Sequence, residues 1–167
     1  MQIKYVDLNK DYNFYKKKLL KIIDKTLSTG EWVGGKEIDL FEKKIAAYTK
    51  SKFAVALNSG TDALTLSLHL LGVKRGDEVI TTPNSFIAST AAIVHLGAVP
   101  VFVDVLDDQN INPDLVKAKI TKKTKAIMPV HLTGRMSNMI EIMKIAKEFN
   151  LKVVEDAAQA IGSKLCN

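Results

Sequence analysis

Hydrophobic residues in the first part of the chain recur with the spacing of amphipathic helices. Between residues 11 and 28, apolar side chains return every helical turn with lysines between them, which predicts a helix with one apolar face. A second helix is predicted from a stripe more typical of core packing than of a binding site: Ile38, Phe41, Ile45 and Tyr48. The glycine-rich loop between the helices has Trp32 at its centre. A contact of Trp32 with a ligand or a partner subunit and a role as loop anchor are equally consistent with this pattern.

From residue 53 onward the pattern changes, and short apolar runs alternate with helical stretches. The predicted strands are 53–57, 78–81, 99–103, 125–130 and 151–155, and the predicted helices are 61–71, 86–96, 113–120 and 136–149. Repeated strand–helix–strand units of this length favour an α/β fold, a mainly parallel sheet with helices on both faces. The change of pattern divides the chain into residues 1–52 and 53–167.

Composition and charge exclude several classes of protein. With 167 residues, of which 47% are hydrophobic, the chain is long enough for a sizeable core. The net charge of +6 comes mainly from lysines on the predicted solvent faces of helices, and Arg75 and Arg135 are the only arginines. Because arginine is the usual reader of bases and phosphates, we interpret this charge as a solvated surface and predict no nucleic-acid partner.

The ends of the chain carry no predicted targeting or redox chemistry. The first residues lack the apolar region of a signal peptide, and no stretch approaches the length of a membrane span, so we predict a cytoplasmic protein without a membrane partner. Cys166 is the only cysteine, which excludes an intrachain disulfide and favours an ordinary thiol over a nucleophile. No metal site is predicted.

Small and polar residues follow the first predicted strand of the sheet. Gly60 permits close approach of the backbone to a ligand, and the exposed amides of a helix beginning near Thr61 would form an anion site, with the threonine hydroxyl as a further donor. The alternative is an ordinary helix start, in which Ser59 and Asp62 form a structure like a capping box.

Four further side chains lie after predicted strands, where ligands of parallel sheets bind. Phe86 can stack on a flat ring, although a lone aromatic residue is more often part of a core. His131 can lie in the same crevice or be a hydrogen-bonded structural histidine. Asp156 can meet a cationic ring nitrogen or cap a following helix, and Gln159 can reach another edge of the same ligand.

Together these residues form a set that suits a flat, cationic, phosphorylated heteroaromatic ring. A phosphate cradle, a stacking aromatic residue, a histidine, an acid and an amide are predicted at one edge of one sheet. Pyridoxal 5'-phosphate is the obvious candidate, because an acid beside its pyridine nitrogen would keep that nitrogen protonated.

The chain resembles the DegT/DnrJ/EryC1/StrS family of pyridoxal-phosphate-dependent sugar aminotransferases. The resemblance runs from about Val6 to the last residues and rests on five segments in the family's order: Asn58–Leu64, Gly76–Ile80, Ser85–Ser89, Pro129–Leu132 and Glu155–Gln159. It implies the large domain of the aspartate-aminotransferase fold (the type I pyridoxal phosphate fold) and transfer of an amino group from glutamate to a nucleotide-linked keto sugar.

The resemblance also implies a role for each candidate residue. Gly60 and Thr61 would hold the cofactor phosphate, Phe86 would stack on the pyridine ring, Asp156 would pair with the ring nitrogen, and Gln159 would contact the phenolic oxygen. Trp32 and His131 would lie on the substrate side. Residues 1–52 would then provide the N-terminal helices and a substrate-side loop, and residues 53–167 an incomplete cofactor-binding domain.

Some family features are expected outside this sequence or differ within it. By the resemblance, the Schiff-base lysine lies beyond Asn167, as does the C-terminal domain, so no catalytic lysine is assigned here and the chain alone should be inactive. Lys164 is too close to Asp156 to be its counterpart. Many members have Tyr at Thr133 and Gln at Arg135, which bears on the sugar that is bound. The resemblance also implies a homodimer. Two alternatives to the aminotransferase function stay open: a sugar dehydratase of the same family, and a non-catalytic remnant or regulatory partner.

Overall fold

The computed structural model describes residues 4–165, so that Cys166 lies outside the described residues. The chain divides into two compact units, Met1–Ala56 and Leu57–Asn167, which are described separately. The predicted functional division at residues 52 and 53 stays a prediction. No helix within residues 4–165 combines the length and apolar composition needed to cross a membrane.

The first unit contains two helices, α1 (Leu8–Ser28) and α2 (Lys36–Thr49). Asp7 caps α1 by accepting a hydrogen bond from the Lys10 backbone N–H, and α2 ends at Lys50 in the left-handed conformation. No residue of either helix is buried. The prediction that the apolar stripe of α2 packs in a core is therefore wrong for this unit, where Phe41 and Tyr48 are exposed.

The strand predicted at residues 53–57 is absent, which corrects the sequence analysis. A β-strand requires backbone hydrogen bonds to a neighbouring strand, and no strand within residues 4–165 pairs with this segment. The Ala56 N–H donates instead to the Glu42 carboxylate at 2.7 Å. The apolar side chains that predicted the strand, including Phe53 and Val55, are exposed.

The second unit alternates helices and strands as predicted. In chain order its elements are α3 (Gly60–Leu70), β1 (Glu78–Thr81), α4 (Ile87–His95), β2 (Val99–Phe102), α5 (Pro113–Ala118), β3 (Thr124–Ile127), a 3-10 turn (Leu132–Gly134), α6 (Met139–Glu148) and β4 (Lys152–Val153). The strands pair in the order β2-β1-β3-β4, and every pairing is parallel. An isolated parallel bridge between Val130 and Asp156 extends the β3–β4 pairing beyond the strands.

Helices cover both faces of this sheet because successive strand residues point to opposite sides. Val79 packs in one core cluster with α3 and α4, whereas the next residue, Ile80, packs in a second cluster with α5 and α6. Ala126 and Ile127 of β3 alternate in the same way. The predicted fold class, a parallel sheet with helices on both faces, is confirmed.

The carboxyl ends of the strands open to one edge of the sheet. β1 leads through residues 82–86 into α4, and the chain after β4 reaches Asp156. α3 runs into β1 through the short connection 71–77, so its N-terminus points back to the same edge. This edge is where a ligand of a parallel sheet is expected.

Candidate functional site

Asp156 lies at the carboxyl edge of the sheet, held by its backbone and by its side chain. Its N–H donates to the Pro129 carbonyl at 2.9 Å, and its side chain is buried. The carboxylate accepts a hydrogen bond from the Ser89 hydroxyl at 2.7 Å through Oδ2 and one from the Ala158 N–H at 3.3 Å through Oδ1. Because no helix follows within residues 157–165, the helix-capping alternative for Asp156 is wrong.

No side-chain cation of the described residues pairs with the Asp156 carboxylate. Across residues 4–165, its oxygens form no ion pair with a Lys, Arg or His nitrogen within 4.0 Å. A buried carboxylate is costly unless it is paired with a charge or fully hydrogen-bonded. The site is therefore suited to a cationic ligand group at this position.

Phe86 immediately precedes α4 and presents its ring to solvent. The side chain is 73% exposed, which excludes the core alternative in this unit. Its carbonyl accepts the Ser89 N–H at 3.2 Å, and Ser89 in turn donates to Asp156. The first turn of α4 therefore joins the exposed ring to the buried acid.

Gln159 is held by the turn that follows β3. Its side-chain Oε1 accepts the Thr133 N–H at 2.7 Å, which fixes the orientation of the amide. Gly134 has φ 86°, and a Cβ there would lie 3.3 Å from the Gln159 carbonyl oxygen, so the close approach favours glycine. The Gln159 Nε2 finds no acceptor in the described part of the chain and is free to donate to a ligand oxygen.

The N-terminus of α3 has the features of both an ordinary capped helix start and an anion site. The Ser59 hydroxyl caps the helix by accepting the Asp62 N–H at 3.1 Å, and the Ser59 carbonyl accepts the Ala63 N–H. These bonds leave the N–H groups of Gly60 and Thr61 without an acceptor in the region that the structure describes. An ordinary cap thus coexists with two amides that can bind an anion.

The His131 backbone N–H donates to the Asp156 carbonyl at 3.0 Å, but the His131 side chain points to the other face of the sheet. Val130 pairs with Asp156, so their neighbours His131 and Glu155 share the opposite face. The imidazole is almost completely buried; Nδ1 accepts the Ser137 N–H at 3.2 Å and Nε2 lies 2.7 Å from Glu155 Oε2. Since Nδ1 is an acceptor, Nε2 carries the ring hydrogen and donates a hydrogen bond to the Glu155 carboxylate.

This hydrogen bond is the largest cause that lowers the pKa of the Glu155 carboxyl below its ordinary value of 4.5, while partial burial acts against it. The contacts of His131 are those of a hydrogen-bonded structural histidine. Its assignment to the substrate side stays a prediction.

Trp32 belongs to the first unit, where it closes the loop after α1. Its Nε1–H donates to the Leu27 carbonyl at 3.1 Å, and the side chain remains 72% exposed. A cavity of about 460 Å³ beside it is lined by the end of α1 and the start of α2. The hydrogen bond makes Trp32 a loop anchor, and the exposed ring is compatible with the predicted substrate contact.

A second open cavity, of about 780 Å³, adjoins the turn that holds Gln159. It is lined by Thr133–Met136 together with residues 107–109 and 163–165. Arg135, one of the departures from the family pattern, lies in this lining. Across the described residues, no group of three or more His, Cys, Asp or Glu side chains is placed to hold a metal ion.

The sequence analysis missed two residues that hold the site, Ser85 and Ser89, and it missed Glu155, the partner of His131 on the opposite face of the sheet. Ser85 and Ser89 are one helical turn apart and flank Phe86, and this spacing was the available signal. The partner of Glu155 is 24 residues distant in the chain, so no local pattern could have identified it.

Comparisons with known proteins agree with this architecture. A model of the DegT/DnrJ/EryC1/StrS aminotransferase family matches residues 14–167. A pleiotropic regulatory protein of Geobacillus stearothermophilus is 42% identical over 98% of this chain and 44% of its own length. A dTDP-3-amino-3,6-dideoxy-alpha-D-galactopyranose transaminase of Aneurinibacillus thermoaerophilus is 42% identical over 96% of this chain and 45% of its own length.

A solved structure extends the similarity to the fold. The crystal structure of NtdA from Bacillus subtilis with bound cofactor PMP has a TM-score of 0.87 and 40% identity, covering 90% of this chain and 35% of that one. The chain spans less than half the length of the curated relatives it matches. The match over nearly all of the sequence shows that the chain belongs to the DegT/DnrJ/EryC1/StrS aminotransferase family.

Proposed function

We propose that the protein is a pyridoxal-phosphate-dependent aminotransferase that moves an amino group from glutamate to a nucleotide-linked keto sugar. The observation that carries the proposal is Asp156, a buried carboxylate without a cationic partner within residues 4–165 at the ligand edge of a parallel sheet, connected through Ser89 to the residue that presents an exposed aromatic ring, Phe86. A protonated pyridine nitrogen is the cationic group that such an acid would bind. A homodimer and a cytoplasmic location stay predictions from the sequence.

The donor set fits the other parts of the cofactor. The free amides of Gly60 and Thr61 would bind the phosphate, and the Thr61 hydroxyl adds a donor. The Gln159 Nε2 would donate to the phenolic oxygen, since Oε1 is already engaged by Thr133. When bound, pyridoxal phosphate supplies an electron sink that stabilises negative charge on the carbon next to the amine nitrogen.

The chain's own residues would prepare this chemistry by binding and orientation. Asp156 would help to keep the proton on the ring nitrogen and would act as its electrostatic partner, not as the base of the reaction. The exposed Phe86 ring would cover one face of the cofactor ring and exclude water from it. The lysine that moves the reacting proton is assigned, by the family resemblance, to sequence beyond Asn167, so we expect residues 1–167 alone not to turn over.

Binding of pyridoxamine 5'-phosphate tests the assignment of the cofactor without requiring a covalent link. We expect the protein expressed from its complete reading frame to bind it in a calorimetric titration, and Asp156→Asn to weaken binding about ten- to a hundredfold, because a charged hydrogen bond contributes about 1.5–3 kcal/mol. The matched control is Asp114→Asn, the same change at an exposed position of α5, which should bind as the wild type does. Unchanged binding by Asp156→Asn would overturn the site.

Amino transfer itself is tested by the glutamate half-reaction. Glutamate should convert the cofactor of the complete protein from its aldehyde to its amine form, followed by absorbance, with release of 2-oxoglutarate. Failure of glutamate and other amino donors to convert a bound cofactor would contradict an aminotransferase.

A regulatory protein is the second candidate, favoured by the name of the relative from Geobacillus stearothermophilus. Such a protein would bind a partner or ligand without turnover. The half-reaction separates the two candidates, because regulation alone predicts no release of 2-oxoglutarate.

A further inference from the structure

Ser89 is a fully buried polar residue directly beneath the Asp156 carboxylate, and the proposed chemistry assigns it no role. Its hydroxyl lies 2.7 Å from Asp156 Oδ2, and its side chain has no exposed surface. The Ser85 hydroxyl lies 2.8 Å from the Ser89 hydroxyl, one helical turn earlier. The three side chains form a continuous line of hydrogen bonds from the buried Asp156 carboxylate through buried Ser89 to partly buried Ser85 in the loop before α4.

The direction of these hydrogen bonds follows from the chemistry of the end group. An ionised carboxylate is only an acceptor, so Ser89 donates its single hydroxyl hydrogen to Asp156. The Ser89 oxygen can then only accept, and Ser85 is the donor to it. Successive bonds in one direction polarise each other, which strengthens the bond that reaches the carboxylate.

Ser89 also connects Asp156 to the stacking residue. Its backbone N–H donates to the Phe86 carbonyl at 3.2 Å in the first turn of α4. One residue therefore fixes both the orientation of the acid and the start of the helix that presents the aromatic ring. With Oδ1 engaged by the Ala158 N–H, the carboxylate is held from two directions.

We propose that Ser89 is a positioning residue that holds the Asp156 carboxylate in one orientation toward the ring nitrogen of the cofactor, with Ser85 supporting its hydroxyl. This inference rests on the proposed function. A positioning role differs from a purely structural role in what it affects. A positioning residue must affect the interaction with the ring nitrogen more than the interactions with the rest of the cofactor.

The test compares two ligands that differ at one atom, titrated into the complete protein. Pyridoxamine 5'-phosphate has the ring nitrogen, and its 1-deaza analogue has carbon at that position. We expect Ser89→Ala to weaken binding of the nitrogen-containing ligand about tenfold, the effect of losing one charge-assisted hydrogen bond, and to leave binding of the deaza analogue unchanged. Equal weakening of both ligands would show a structural role and overturn the proposal.

A second readout and further variants guard against misfolding. In protein loaded with ligand labelled at the ring nitrogen, the nitrogen-15 chemical shift should move toward the unprotonated value in Ser89→Ala and remain at the wild-type value in Ser67→Ala, a serine-to-alanine control in α3. If thermal unfolding shows that Ser89→Ala is not folded, Ser89→Cys takes its place, because a thiol has a similar size and is a weaker donor. It should show the same selective loss of binding of the nitrogen-containing ligand. Ser85→Ala should show it to a smaller extent.

The outcomes distinguish the two claims. If the wild-type protein does not bind pyridoxamine 5'-phosphate, the proposed function fails and the role of Ser89 fails with it. If the wild type binds this ligand more tightly than the deaza analogue and Ser89→Ala keeps that preference, the proposed function stands and the inference about Ser89 is wrong.

Discussion

At the scale of single residues, adjacent positions on one strand end have different surroundings. Asp156 faces Ser89 and the α3–α4 side of the sheet, whereas Glu155 faces His131 on the α5–α6 side. The strand alternation that separates them is a local property, but the identity of each partner is not. The motif around Asp156 therefore predicted an acid at the site, but it did not predict the residues that hydrogen-bond to its carboxylate.

The contact between Glu155 and His131 predicts a pH dependence of stability. The folded-state pKa of Glu155 is lowered, so its contribution to stability is fully present above the ordinary value of 4.5 and is lost as the pH falls from 4.5 through the lower folded value. In Glu155→Gln this part of the acid-induced loss should be absent. Urea unfolding at neutral pH and at a series of values below 4.5 measures the difference.

Glu31→Gln is the control for this prediction, because Glu31 is exposed and has no side-chain ion pair within the described ranges. It should keep the acid dependence of the wild type. The same acid dependence in Glu155→Gln as in the wild type would show that the contact with His131 adds no pH-dependent stability.

At the scale of elements, the helix termini follow their sequences closely. Ser59, Asn112 and Asn138 each cap a helix of the second unit by accepting a backbone N–H, and Pro113 occupies the first turn of α5. The predicted helices were accordingly found within a few residues of their observed ends. Strand β1 was predicted at its observed residues, Glu78–Thr81.

Loss of the cap of α3 is expected to lower stability. Ser59→Ala removes the acceptor of the Asp62 N–H and should reduce the free energy of unfolding by about 0.5–2 kcal/mol. Ser67→Ala, within the same helix, should have a smaller effect, since Ser67 does not cap. Thermal or urea unfolding of both variants measures the difference, and equal losses would contradict the capping role.

The packing of α6 gives a matched pair of isoleucines. Ile142 is fully buried in the cluster of α5 and α6, whereas Ile140, half a turn away, is exposed. Ile142→Ala should cost about 2–5 kcal/mol in unfolding free energy through lost burial and a cavity. Ile140→Ala should remain within about 0.5 kcal/mol of the wild type. Similar costs for both variants would show that α6 does not pack on the sheet through this face.

At the scale of the whole molecule, the two units differ in what they bury. The second unit contains both core clusters, and neither helix of the first unit has a buried residue. The relatives that match the chain are more than twice its length, as the covered shares of 44% and 45% show. The proposed activity therefore belongs to the complete protein.

The location of the covalent lysine is a prediction about that complete protein. Borohydride reduces the link between pyridoxal phosphate and its lysine to a stable bond. In protein from its native source, peptide mapping should place the modified lysine outside residues 1–167. A stoichiometric adduct on Lys164 would contradict this assignment, and an unmodified protein with a mass near 18.4 kDa would favour the regulatory candidate.

Residues 53–57 show where sequence patterns reach their limit. Alternating apolar side chains predicted a strand there, but strand formation depends on a partner strand that the pattern does not identify. The same limit applies to α2, whose apolar stripe predicts a buried face. In their own unit, Ile38, Phe41 and Tyr48 of this stripe are exposed and Ile45 is only partly buried. Periodicity describes which side of an element is apolar, not what covers it.

The sequence by itself determined the alternation of helices and strands, the parallel sheet, the start of α3 near Gly60 and the placing of Phe86, Asp156 and Gln159 after strands, because hydrophobic periodicity and turn chemistry are local. Only the tertiary structure decided that Ser89 holds Asp156, that Thr133 orients the Gln159 amide and that His131 points away from the acid. These contacts join residues 24 to 67 positions apart. They depend on strand register and helix packing, which bring distant segments together and have no signature in the local sequence.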